Sequence, residues 1–221
     1  MGLFSGEIRL VSLNGTVTQH ILNAHAAGIE YMVKLRNGNI FSCSDDYTVK
    51  YWNMTIDSAL NDGYYQATLI TTLTDPISSV LVLEFLNNET LLASGCANGQ
   101  IIIWDVATLT VQLKINTAET VGTLKQVTSM YMANGLSSGA IQILDILTGI
   151  CVQTLYGHSS SVNSIDLINA NMFASASDDT NIILWSTSVG FALIRTLRGH
   201  TSVIYVVRIE NMLEKVNFIL R

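Results

Sequence analysis

The chain alternates short apolar runs with clusters of Asn, Asp, Gly and Ser. Between 162 and 197 the runs are VNSIDLI (162–168), MFASAS (172–177), IILWS (182–186) and ALIRTL (192–197). Short runs of this kind, some alternating and some continuous, bounded by turn formers, predict β-strands joined by tight turns. No segment sustains a 3.6-residue period, so almost no helix is expected.

The pattern recurs, and the recurrence sets the organisation. Aligned on the third strand, the copies read YWN (51–53), IWD (103–105), ILD (143–145) and LWS (184–186). Trp52, Trp104, Leu144 and Trp185 then fall in register at spacings of 52, 40 and 41. A degraded copy, GEIRLVS (6–12), puts Val11 in the same place. Upstream, HAAGI (25–29), HSSSV (158–162) and HTSVI (200–204) each set a histidine four residues before a strand. From the first apolar residue to the Trp position is 23 residues for Ile29–Trp52, Val121–Leu144 and Val162–Trp185. It is 24 for Val80–Trp104, which predicts a longer turn at LNNET (86–90).

Gly157-His158, Gly199-His200 and the Trp-Asp mark at 104–105, at this period, resemble the WD-repeat family, over nearly the whole chain from Gly6 onward. The resemblance implies an all-β WD-repeat β-propeller, one domain over 1–221, with repeats at about 23–64, 65–115, 116–156 and 157–198. The chain starts with a third strand (EIRLV, 7–11) and a fourth (TVTQHIL, 16–22). It finishes with a first (VIYVVRI, 203–209) and a second (KVNFILR, 215–221). The phases match, so five four-stranded blades are expected, the closing one shared between 199–221 and 1–22. Such closure hides edge strands that would otherwise pair with other chains. The alternative is part of a seven-bladed propeller.

Composition narrows the function classes. Apolar residues make up 49% and charged residues 13%, which excludes a disordered chain. The net charge of −6, with 11 scattered basic residues, argues against nucleic acid as a partner. Mean hydropathy is +0.38, yet no apolar run approaches the roughly 20 residues needed to span a bilayer. The N-terminus lacks a signal-peptide pattern. Cys43, Cys96 and Cys151 are odd in number and lack C-x-x-C spacing, so they are read as buried, reduced thiols. An intracellular setting, cytoplasm or nucleus, follows from these readings.

Two repeats carry a full polar set: His25, Ser42, Asp46 and Trp52, then His158, Ser175, Asp179 and Trp185. Ser, His and Asp suggest a catalytic triad, but a triad needs an exposed nucleophile and an oxyanion site. Here the trio recurs with an indole whose N–H needs an acceptor when buried. A Ser hydroxyl can accept it and donate to His, which can donate to Asp. The resemblance implies the same structural network. Repeat two keeps Ser94 and Trp104 but has Asn98 and no His. Repeat three has Asn134, Ser138 and Leu144. The closing blade has His200 with Asn217, Ser5 and Val11. Blades one and four should therefore be held most firmly. No cofactor motif, metal cluster or phosphate-cradling loop is found.

In the family, partners often meet the face at one entrance of the central channel. The resemblance carries that face onto Gly28, Glu30 and Asp45; Ser79, Leu81 and Ala97; Thr120, Gly122 and Ser137; Ser161, Asn163 and Asp178; and Val203 and Tyr205. Three carboxylates could receive a basic peptide, and Leu81 and Tyr205 an apolar anchor. The expected function is a non-enzymatic scaffold for proteins or peptides, with no small-molecule substrate and no membrane. The alternatives are a subunit whose ring a partner chain completes, and, least favoured, a propeller-type hydrolase.

Overall fold

The computed structural model describes residues 4–11, 17–57, 64–188 and 190–208, and within them all regular structure is β. Four antiparallel four-stranded sheets account for most of it. Blade one holds β3 (Ile29–Lys34), β4 (Ile40–Ser44), β5 (Val49–Asp57) and β6 (Tyr64–Leu73). Blade two holds β7 (Val80–Leu86), β8 (Leu91–Cys96), β9 (Gln100–Asp105) and β10 (Val111–Asn116). Blade three holds β11 (Val121–Gln126), β12 (Tyr131–Leu136), β13 (Ile141–Asp145) and β14 (Cys151–Leu155). Blade four holds β15 (Val162–Asn169), β16 (Met172–Ser177), β17 (Ile182–Ser186) and β18 (Leu193–Leu197). Earlier in the chain, β1 (Ile8–Val11) pairs with β2 (Val17–Ile21). Because β6 runs to Leu73, blade one extends beyond the 64/65 boundary read from the spacing.

The apolar runs have a simple physical cause. Second strands are sandwiched between neighbouring sheets: every residue of β4 is buried, as are all but the first of β8, β12 and β16. A strand covered on both faces reads as continuous rather than alternating. Outer strands see solvent, and β10 alternates along its length. Each sheet-to-sheet seam is a separate core. Phe41 and Val49 meet Leu83, Leu92 and Trp104 between blades one and two. Ile101 and Ile103 meet Leu124 and Met132 between two and three. Ile141 and Ile143 meet Phe173 and Trp185 between three and four. Close stacking also selects small residues: a Cβ on Gly95 would lie 2.4 Å from a Val121 methyl, and one on Gly135 2.8 Å from a Val162 methyl.

The two ends cover the outermost blades. Ile8 and Ala24 pack on Ile29, Ile40 and Trp52 of blade one. Ile204 and Val207 pack on Ala174, Ala176 and Ile182 of blade four. The strand expected at 203–209 is not formed within 203–208. That segment is pinned individually instead: Ile204 N donates to Ser177 O (3.3 Å), Asn163 Nδ2 to Ile204 O (3.1 Å), and Ser164 Oγ to Val207 O (3.2 Å). The second strand expected at 215–221 lies outside the described residues.

Two further expectations meet a structural answer. The turn at 86–90 accommodates its extra residue by placing Asn87, Asn88 and Glu89 all in the left-handed region, at φ 49°, 57° and 69°. Cys43 and Cys96 are buried free thiols, but Cys151 is exposed because β14 is an outer strand.

Two glycine turns, Gly99 between β8 and β9 and Gly38 between β3 and β4, allow a sharp test. Gly99 sits at φ +85°, and a Cβ there would lie 2.4 Å from Thr117 O and 2.8 Å from Glu119 O. Gly38 has φ +97° with open space around it. Gly38→Ala should cost about 1 kcal/mol, from left-handed strain alone. Gly99→Ala should cost about 2 kcal/mol or more, because backbone must also move. Equal urea midpoints for the two variants would contradict this account.

Candidate functional site

The polar sets of blades one and four assemble as chains of hydrogen bonds. Trp52 Nε1 donates to Ser42 Oγ at 2.9 Å, His25 Nε2 lies 2.7 Å from that hydroxyl, and His25 Nδ1 lies 2.9 Å from Asp46 Oδ2. Blade four repeats this: Trp185 to Ser175 at 2.8 Å, His158 to Ser175 at 2.7 Å, His158 to Asp179 at 2.9 Å. With a neutral ring, Nδ1–H donates to the carboxylate and Nε2 accepts the serine proton, so each group is satisfied. Each chain ties a third strand to the loop before the first. Burial holds the His25 pKa below its ordinary 6.5, against the pull of Asp46. Burial alone would raise Asp46, but hydrogen bonds from Thr48, Ala26 N–H and His25 hold it below the usual carboxylate range.

The weaker blades carry only remnants. Trp104 donates to Ser94 at 3.1 Å, with no histidine beyond it. In blade three, Asn134 reaches Gln142 at 3.3 Å and leaves its buried Oδ1 unpartnered. His200 is half-buried and has no polar partner among the described residues.

The first strands β3, β7, β11 and β15 line a central channel. Their second residues, Glu30, Leu81, Gly122 and Asn163, together with Tyr205, border one cavity of about 740 Å³. The sequence placed these five positions on one face, and they converge there from five separate parts of the chain. The other rim positions do not line the cavity. Gly28, Ser79 and Ser161 accept, through their carbonyls, the N–H groups of Asp45, Ala97 and Asp178 at 2.9–3.0 Å. Thr120 Oγ1 donates to Ala97 O at 2.8 Å, and Ser137 Oγ lies 3.4 Å from Glu119 Oε2. Val203 is half-buried. These residues build the rim that holds the mouth.

Three carboxylates surround the mouth: Glu30, Asp45 and Asp178. Burial first, and then the charge of Asp45, push the Glu30 carboxyl above its ordinary range. Asp178 accepts Asn163 Nδ2 at 2.6 Å. Tyr205 is 62% exposed, so its ring is available to a guest.

Three residues further along the first strands lies a charged layer that sequence reasoning missed. Lys125 Nζ lies 3.5 Å from Glu84 Oε1 and 3.2 Å from Asp166 Oδ1. Arg208 joins the same wall. Burial raises Glu84 although Lys125 opposes it; burial would lower Lys125, but the two carboxylates raise it on balance. Glu84 and Lys125 also line a cavity of about 500 Å³ opening at the other end. The signal was present: 84, 125 and 166 are 41 apart, and 208 follows at 42. Exposed Tyr47 and Ile77, on loops at the mouth's end, were also overlooked.

Two predictions follow from the networks. Ser175→Ala strands both Trp185 and His158 and should cost about 2–3 kcal/mol, whereas Ser94→Ala strands one indole and should cost about 1 kcal/mol. Urea unfolding giving equal losses would overturn the ranking. Because His25 is harder to protonate folded than unfolded, stability should decline as pH falls below about 6.5, toward its lowered folded value. Unfolding midpoints of His25→Gln should vary less with pH across that window; unchanged dependence would reject the assignment.

Comparison with known proteins fits this geometry. The WD domain, G-beta repeat family matches residues 16–53, 67–105 and 149–186. The unmatched stretch between the last two contains Thr117, Asn134 and Leu144, where the polar set is lost. Nuclear distribution protein PAC1-2 of Uncinocarpus reesii is 27% identical over 185 residues, covering 75% of this chain and 37% of that protein. F-box/WD repeat-containing protein sel-10 of Caenorhabditis elegans is 29% identical over 123 residues, covering 53% and 20%. The chain thus spans about a third or less of these relatives. The crystal structure of the WD40 beta propeller domain of Doa1 superposes with a TM-score of 0.76 at 21% identity, over 94% of this chain and 67% of that one, and speaks for the fold. With its repeats matched over just over half of its length, the chain belongs to the WD40-repeat family.

Proposed function

We propose that the chain is a non-catalytic scaffold that docks partner proteins or peptides at the channel mouth. One observation carries this reading: Glu30, Leu81, Gly122, Asn163 and Tyr205, from successive blades and the segment after blade four, border a single cavity. The scaffold role accords with the WD40 relatives. Access argues for the non-catalytic part. Ser42 and Ser175 are fully buried, and His25 and His158 nearly so, whereas a nucleophile and its base must reach substrate. Acidic residues at the mouth support basic partners and disfavour nucleic acid. The free thiols support an intracellular setting, cytoplasm or nucleus. Among the described residues no helix is long and apolar enough to cross a membrane.

The docking proposal predicts a specific loss. Proteins captured from extract by the native chain should be released by the combined variant Glu30→Lys, Asp45→Lys, Asp178→Lys, with circular dichroism confirming that both are folded. Retention of the same proteins would move the docking site elsewhere on the ring.

A further inference from the structure

The outer strands of the four blades are not equivalent. Each is the last strand of its sheet, so each turns a row of backbone N–H and C=O groups outward. Three of them are engaged from outside their sheets. Gln19 Oε1 accepts the Ala67 N–H of β6 at 2.8 Å, Lys114 of β10 pairs with Asp75 at 3.1 Å, and Gln153 of β14 donates to Gly190 O at 2.7 Å. Among the described residues, β18 (Leu193–Leu197) bonds only to β17.

The register gives β18 two different faces. Leu193 pairs with Trp185 and Thr196 with Ile183, which pack in the seam with blade three. Arg195 pairs with Leu184 and Leu197 with Ile182, which pack on the opposite side of the sheet. On the blade-three face, Gly157 crosses beside Leu193: a Cβ there would lie 3.3 Å from Leu193 Cδ1 and 3.0 Å from Trp185 Cζ or ring edge at Cη2. Tyr156, its neighbour in the chain, is 78% exposed. This face therefore offers apolar cover to a side chain laid along it, and the opposite face offers a guanidinium.

The charge is unusual for this protein. The whole chain carries −6, yet neither 146–165 nor 181–208 contains a carboxylate. Arg195 and Arg198 are exposed, and the arginines and lysines ion-paired among the described residues are Arg9, Arg36, Lys114 and Lys125. Opposite charges paired across strands stabilise a ladder and like charges destabilise it, so these arginines select an acidic neighbour.

We propose that β18 accepts an added strand from a partner, an extended segment in which apolar and acidic residues alternate. Its backbone continues the ladder and supplies affinity, while alternate side chains supply specificity. The apolar ones lie on the blade-three face beside Leu193 and Tyr156. The acidic ones lie on the other face beside Arg195, and Arg198 meets the carboxylate past the strand's end. This surface is on the outer wall, apart from the channel mouth, so both can be occupied together.

The test titrates the full, isotopically labelled chain with the blocked heptapeptide Glu-Val-Glu-Leu-Glu-Val-Glu by NMR. Its controls are a peptide of equal composition with the glutamates in one block, and the same alternating peptide N-methylated at every second residue. The alternating peptide should bind saturably with a Kd of about 1 mM or below, shifting the amides of β18 and of 156–158. Both controls should bind at least about tenfold more weakly, one having lost the alternation and the other the ladder N–H groups. Arg195→Glu, checked for fold by circular dichroism, should weaken binding at least about fivefold, and Arg195→Lys should restore most of it. Equal affinity for either control, indifference to Arg195→Glu, or no saturation up to about 10 mM overturns the proposal. The combined Glu30→Lys, Asp45→Lys, Asp178→Lys variant should bind the peptide as the native chain does; a changed affinity would move the peptide to the channel mouth and overturn it. Phosphatidylcholine–phosphatidylserine vesicles are the last arm: vesicle binding that Arg195→Glu removes, with no peptide binding, would assign the wall to an anionic lipid surface instead.

Discussion

Each sheet of this molecule has two apolar faces, and no sheet can cover both of its own. The second strands make the constraint acute, since β4, β8, β12 and β16 are buried from both sides. Stacking sheet on sheet is the only solution available to such strands, and it dictates much else. Side chains must be small where the next blade presses, as Gly95 does beneath Val121 and Gly135 beneath Val162. Large indoles fill the seams, and once buried their N–H groups demand acceptors, which Ser42, Ser94 and Ser175 supply. The ends of the stack meet the same demand: Ile8 and Ala24 cover blade one, and Ile204 and Val207 cover blade four. Burial in these clusters, at roughly 25 cal/mol per Å² of apolar surface, is the main favourable term.

Much of this was legible in the sequence because each level repeats the same message. The runs at 172–177 and 182–186 coincide with β16 and β17 because short continuous apolar stretches bounded by turn formers fit doubly covered strands. The hydrogen-bond chains were legible because donor and acceptor inventories leave one arrangement in which indole, hydroxyl, imidazole and carboxylate are all satisfied. Failures occurred where pattern underdetermines environment. VIYVVRI reads as a strand from its β-branched residues, yet a strand needs a ladder partner. Within 203–208 the backbone bonds to Asn163, Ser164 and Ser177 instead. Cys151 reads as core by residue type, but its strand is outermost. The length of β6 was hidden because the sequence before it, 58–63, carries no periodic mark.

The charged layer escaped notice for a different reason. Hydrophobic pattern reports on sheet faces, and the channel wall is not one. Glu84, Lys125 and Asp166 line a cavity rather than a seam, so the stacking constraint does not select their residue type. At the same strand position the chain places Val33, Glu84, Lys125 and Asp166, with Arg208 in the matching place of the last segment. Blades one to four hold their ladders regardless of which of these side chains they carry.

That indifference separates what holds the ring from what the ring can bind. A buried ion pair is a poor source of stability, since desolvation offsets most of the attraction. If the layer existed only to close the channel, apolar side chains of similar size would close it at lower cost. Charges held largely out of water, where the seams between sheets do not need them, are better understood through what enters the channel than through what surrounds it. The seams between blades and the wall of the channel are therefore separable parts of the molecule: substitutions in the first act on stability, and substitutions in the second act on recognition.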